Sequence, residues 1–105
     1  MKKARNWQGL LDYSSQWIQA EPGNPAARFN LGVAYGELGR YGEAIEAYWE
    51  ALRLEPDDAW AWYNFAQAYA KSGNSSAALE AVKRLRRYDT QKADELFNLN
   101  HEAVR

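Results

Sequence analysis

The strongest constraint on this chain is an internal repeat: shifted by 34 residues, the segment Pro25–Asp58 lies over Ala59–Lys92. Identities fall at Ala27/Ala61, Asn30/Asn64, Ala34/Ala68, Tyr35/Tyr69, Gly39/Gly73, Ala44/Ala78, Glu46/Glu80, Ala47/Ala81 and Arg53/Arg87. Phe29/Tyr63, Leu31/Phe65, Gly32/Ala66 and Ile45/Leu79 are conservative pairs at the same offset. Small residues and turn glycines dominate the identities, as two closely packed helices require. A fixed period in this range, with each unit reading as two amphipathic helices about a glycine turn, predicts an all-α stack of helix pairs.

The rest of the chain extends or caps this unit. After a basic leader, Met1–Arg5, Asn6 is a predicted N-cap for a helix running to about Ala20, with Trp7, Leu10, Leu11, Trp17 and Ile18 at helical spacing. By the repeat offset this is a second helix without its first. Pro22, Gly23 and Pro25 break the chain, and Pro25 suits an N-terminal helix position where its missing N–H costs little. Helices are then predicted over about Ala26–Leu38, from Tyr41 or Gly42 to Leu54, Ala59–Ser72 and Ser75–Tyr88, with Gly39 at a helix C-terminus and Asp57-Asp58 at the positive end of the next dipole. Asp89 or Thr90 caps the tail, whose LFNLN at Leu96–Asn100 matches RFNLG at Arg28–Gly32 and WYNFA at Trp62–Ala66. The tail therefore reads as a first helix without its second.

At these residues the chain resembles the tetratricopeptide repeat (TPR) family. Arg28, Leu31, Gly32, Tyr35, Gly39, Ala44, Tyr48, Ala51 and Pro56 stand at the spacing of its signature, with the usual Trp replaced by Arg28. The next unit restores that Trp as Trp62 and continues with Phe65, Ala66, Tyr69, Gly73, Ala78, Val82 and Leu85, with Thr90 in place of the closing Pro. The resemblance implies a right-handed α-solenoid of about six antiparallel helices in a single domain: a half repeat (1–24), two complete repeats (25–58 and 59–92) and a C-terminal capping helix (93–105). Leu10 and Asn100, at the two ends, replace the small residues of the close helix crossing, so end-to-end completion between copies would give a poor fit.

Composition supports binding over chemistry. Net charge of −1 and pI near 5.8 give no global attraction to nucleic acid, and no run approaches the ~18 apolar residues of a membrane helix. The chain has no Cys and a single His, His101, so neither thiolate nor clustered-imidazole metal sites are expected, and no cofactor is implied. Its acidic residues sit at helix starts and on outward faces, and phosphate loops, nucleophile elbows and HExxH are missing, which points away from an enzyme. The basic run Lys83, Arg84, Arg86 and Arg87 lies near a helix C-terminus, where cations are favoured in any case. Without a signal peptide in this sequence the cytoplasm is the favoured compartment.

The family resemblance implies a partner protein, bound as a peptide or helical segment along a concave groove lined by the first helix of each repeat. Carried over by position, the groove residues are Phe29, Asn30, Val33 and Glu37, then Trp60, Tyr63, Asn64, Gln67 and Lys71, then Phe97, Asn98 and His101. Phe29, Tyr63 and Phe97 form an aromatic row, and Asn30, Asn64 and Asn98 an amide row able to donate to and accept from a peptide backbone. Trp62, one residue from the row, belongs to the core. Phe29, Val33 and Trp60 stand where a clamp for an acidic peptide C-terminus would need cations or amide, so an aromatic-anchored peptide is expected instead. The competing reading is a self-assembly element, a monomer or weak homo-oligomer meeting its copies through the terminal helices.

Overall fold

In a computed structural model, described over residues 6–103 with side chains through Asn98, the chain forms α1 (Trp7–Ala20), α2 (Pro25–Glu37), α3 (Tyr41–Leu54), α4 (Ala59–Lys71), α5 (Ser75–Arg86) and α6 (Thr90–Ala103). Capping chemistry sets the starts. The side chains of Asn6, Asn24, Asp58, Asn74 and Asp89 accept from the backbone N–H of Gly9, Ala26, Trp60, Ala77 and Lys92 at 2.8–3.1 Å. The start of α3 has Arg40 at the cap position with no such bond, and its guanidinium instead pairs with Glu43 at 2.7 Å.

The two turns inside the repeats are built alike. Gly39 and Gly73 adopt φ of +78° and +91°, and the next residues, Arg40 and Asn74, donate back to the carbonyls of Tyr35 and Tyr69 at 2.8 and 3.0 Å. A residue with a Cβ would resist that left-handed backbone by about 1–2 kcal/mol, which is why glycine recurs there at the repeat offset. The fifth helix ends earlier than its periodicity suggests, at Arg86 and not Tyr88. Tyr88 and Asp89 turn back onto the Leu85 carbonyl at 2.9 Å, and Asp89 then caps α6. The bound Lys92, through its backbone N–H first and its side chain second, holds the Asp89 carboxyl below its ordinary pKa.

Each helix packs on its neighbours in sequence, and α2, α4 and α6 also touch in series. Among the described residues α1, α3 and α5 make no comparable approach to one another. The first helices are therefore drawn together on one side and the second helices splay on the other, so the stack is concave along α2, α4 and α6. Its smallest dimension, 23 Å, is that of two helix layers.

Alanines make the close crossings possible, since Ala27, Ala34, Ala44, Ala61 and Ala66 are all fully buried. An intimate crossing lies at Gly32, where a Cβ would come within 2.6 Å of the Tyr48 ring. Larger side chains fill the centre: Trp62 meets Phe65 edge-on at 5.7 Å, Phe65 meets Tyr69 at 4.9 Å, and Leu85 and Leu96 close the end toward α6. Trp62 is a core residue, as its place in the repeat predicts.

Candidate functional site

The concave side carries a cavity of about 220 Å³, between α2 and α4. From the sequence-derived groove set it gathers Val33 and Glu37 of α2 and Asn64, Gln67 and Lys71 of α4. Gly36 and Ala68 complete its walls, and Tyr41 and Tyr48 of α3 enter from beneath.

Tyr48 reaches this space for a local reason. Its ring crosses α2 at Gly32, where no Cβ stands in the way, and it is only 4 % exposed. Burial, and secondarily the Glu37 carboxylate, push the phenol pKa up, while hydrogen bonding with the Asn64 side chain acts in the opposite direction. The phenol accordingly keeps its proton across the physiological range. It supplies a fixed hydroxyl among the Asn64 and Gln67 amides, a surface able both to donate and to accept.

The remaining sequence-derived residues lie elsewhere. Phe29 is half-buried, its ring 5.8 Å from Tyr48 and packed on the core, and Asn30 is half-buried outside the cavity lining. Trp60 is 56 % exposed at the start of α4, edge-on to the half-buried Tyr63 at 5.6 Å. The Lys92 ammonium sits 4.2 Å from the centre of the Trp60 ring while pairing with Asp89 at 3.1 Å. Trp60 is thus an exposed ring braced by Tyr63 and Lys92. Phe97 and Asn98 are exposed on α6; the side chains of His101 and Asn100 lie outside the described residues.

Sequence reasoning missed Tyr41, Tyr48, Gly36 and Ala68. Tyr48 was discoverable in principle, because Gly32 opposite a large aromatic on the partner helix marks a ring passing between helices. Three members of the basic run, those on α5, are engaged structurally: Lys83 pairs with Glu80 at 3.3 Å, Arg86 with Asp94 at 2.6 Å, and Arg84 lies over the Trp62 ring at 5.5 Å. Among the described residues there is no cluster of three or more His, Cys, Asp or Glu able to hold a metal, and no helix long and apolar enough to cross a membrane.

Family profiles described as tetratricopeptide repeat match residues 15–46 and 61–92, and one described as TPR repeat matches residues 37–73. The chain belongs to the tetratricopeptide repeat family. Comparison with curated proteins gives no match. Among solved structures, this TPR chain is similar to MamA AMB-1, with 31 % identity and a TM-score of 0.75 over 79 % of this chain and 49 % of that one. It therefore spans about half the length of that protein. It is also similar to the TPR2B domain of yeast Sti1 in a pHsp70 complex, with 20 % identity and a TM-score of 0.87 over 93 % and 85 % of the two chains. The TPR2AB domain of yeast Sti1 in a pHSP90 complex matches with 22 % identity and a TM-score of 0.86 over 95 % of this chain and 41 % of that one. The Sti1 likenesses establish a shared TPR fold: an all-α solenoid of helix pairs.

Proposed function

We propose that this domain is a non-enzymatic protein-interaction module that holds a peptide or helical segment of a partner protein in the groove between α2 and α4. The observation that carries this reading is the polar cavity of about 220 Å³ in which Tyr48, Asn64, Gln67, Glu37 and Lys71 converge. A main chain laid there meets amides and a neutral phenol that can donate or accept. Beside it, Trp60 and Tyr63 offer rigid apolar area with little entropy to lose on binding. The Sti1 TPR domains, whose structures are of complexes with pHsp70 and pHSP90, give the fold a precedent for partner capture.

Within this reading the residues divide by role. Asn64 and Gln67 take the main chain, Trp60 and Tyr63 take an apolar side chain, and Phe97 and Asn98 extend the track on α6. Phe29, Asn30 and Val33 shape its α2 side. Fluorescently labelled peptides selected from a random library test it by anisotropy. Asn64→Ala and Trp60→Ala should each weaken binding by about fivefold or more, while far-UV circular dichroism and thermal midpoint show the fold intact. Unchanged affinity in both variants would remove the groove as the binding site.

Exposed rings at both ends, Tyr13 on α1 and Phe97 on α6, favour a second reading as a self-assembly element. Light scattering across a concentration series separates the two: growth of mass with concentration supports assembly, and a constant monomer mass supports capture of a separate partner.

A further inference from the structure

Glu37 and Lys71 stand 34 residues apart, the last residues of α2 and α4, and both line the cavity. They occupy the same position in successive repeats with opposite charge. Neither forms an ion pair within 4 Å among the described residues, although Arg40–Glu43, Arg53–Glu50, Lys83–Glu80, Arg86–Asp94 and Lys92–Asp89, none of which line the cavity, all do. Two opposite charges therefore face one groove without neutralising each other.

Helix electrostatics shows which of the two is anomalous. The last turn of a helix is the negative end of its dipole, so a cation is favoured there and an anion is not. Lys71 fits that rule and Glu37 breaks it. The fold would be served at least as well by a lysine at 37, as its own second repeat illustrates.

Resting on the groove reading above, we propose that the cavity selects a partner segment by charge order. A cationic side chain, Lys or Arg, seats on the α2 wall against Glu37, and an acidic side chain, Asp or Glu, seats on the α4 wall against Lys71. Neighbouring helix axes lie about 8–10 Å apart. Same-face residues of an extended peptide are about 7 Å apart at i,i+2 and about 13 Å at i,i+4, so the two charges are separated by two to four residues in the partner. The main-chain contacts to Asn64 and Gln67 set the direction in which the segment runs, and in that direction only one order of charges meets both walls. An exposed ion pair is worth a factor of about two to five, so the two contacts together supply about tenfold discrimination.

The test uses blocked, labelled peptide pools with one Lys and one Glu fixed two, three or four positions apart, in both orders, and uncharged residues elsewhere. Anisotropy at low salt should show one order binding about tenfold tighter than its reverse, with the difference shrinking at high salt. In the double variant Glu37→Lys/Lys71→Glu the preference should invert, and Glu37→Lys alone should lose it without lowering the thermal midpoint. Equal binding of both orders, still weakened by Asn64→Ala, would overturn the charge-order assignment and leave the groove reading standing. If no charged or uncharged pool binds, both fall.

Discussion

The two complete repeats solve the same packing problem with different side chains. In the second, Trp62 lies in the core and its indole Nε1–H donates to the Pro56 carbonyl at 2.7 Å. In the first, Arg28 stands in the Trp place and its guanidinium donates to Pro22, the equivalent carbonyl, at 3.3 Å, with its buried Nε left without a partner. The hydrogen bond from helix to preceding linker is kept and the apolar volume is not. A second exchange runs the other way: the pair Gly32/Tyr48 in the first repeat becomes Ala66/Val82 in the second, both members buried in the same core cluster. A large ring against a glycine and a small side chain against an alanine fill comparable space. Only the ring carries a hydroxyl through to the concave face, so the polar cavity belongs to the first repeat's floor and the second repeat's wall.

Removing the two linker anchors should separate their contributions most clearly. Trp62→Ala is expected to cost about 3–5 kcal/mol through lost burial and the cavity left behind, and Arg28→Ala about 1 kcal/mol, the net worth of one hydrogen bond, both read by urea denaturation. Equal losses would mean that the bond to the linker carrying the proline, and not the indole volume, holds each repeat together. Next in size, Gly32→Ala should cost about 1–3 kcal/mol because its Cβ would press on the Tyr48 ring. Adding Tyr48→Val should recover much of that loss, with a coupling of about 0.5–3 kcal/mol in the double-mutant cycle; additive losses would break the volume-exchange account.

The smallest effect at neutral pH is expected from Tyr48→Phe, which leaves the packing and removes the hydroxyl. The folded chain holds the Tyr48 proton more tightly than the unfolded chain, where a phenol titrates near about 10. Its contribution is complete below that pH and is lost as pH rises above it, because the unfolded chain then gives up a proton that the folded chain keeps. Wild-type stability should therefore fall more steeply than that of Tyr48→Phe above about pH 10, by denaturant midpoints measured on both. Parallel curves would place the phenol in a solvated setting and detach it from the cavity floor.

Much of the fold was legible because its signals are local. Asn6, Pro25, Gly39 and Gly73 sit within a few residues of the helix ends they set, and a 3.6-residue apolar period needs no knowledge of the neighbour. The end of α5 was less legible, since the return of Tyr88 and Asp89 onto the Leu85 carbonyl competes with two further residues of helical pattern. Repeat position placed Val33, Glu37, Asn64, Gln67 and Lys71 on the side where the cavity lies. It also selected Phe29, whose ring turns to Tyr48 and the core, because spacing along one helix does not say which partner ring will cover it.

By itself, then, the sequence determined that this is an α-helical TPR stack and where its helices begin and turn. Only the tertiary structure decided where on that face a cavity opens. The opening depends on a contact between residues of different helices, Gly32 and Tyr48: the missing Cβ lets a second-helix phenol pass beneath α2 and stand with Asn64, Glu37 and Lys71. Periodicity is a property of one helix, whereas which side chain crosses between two helices is settled by the volumes that meet there.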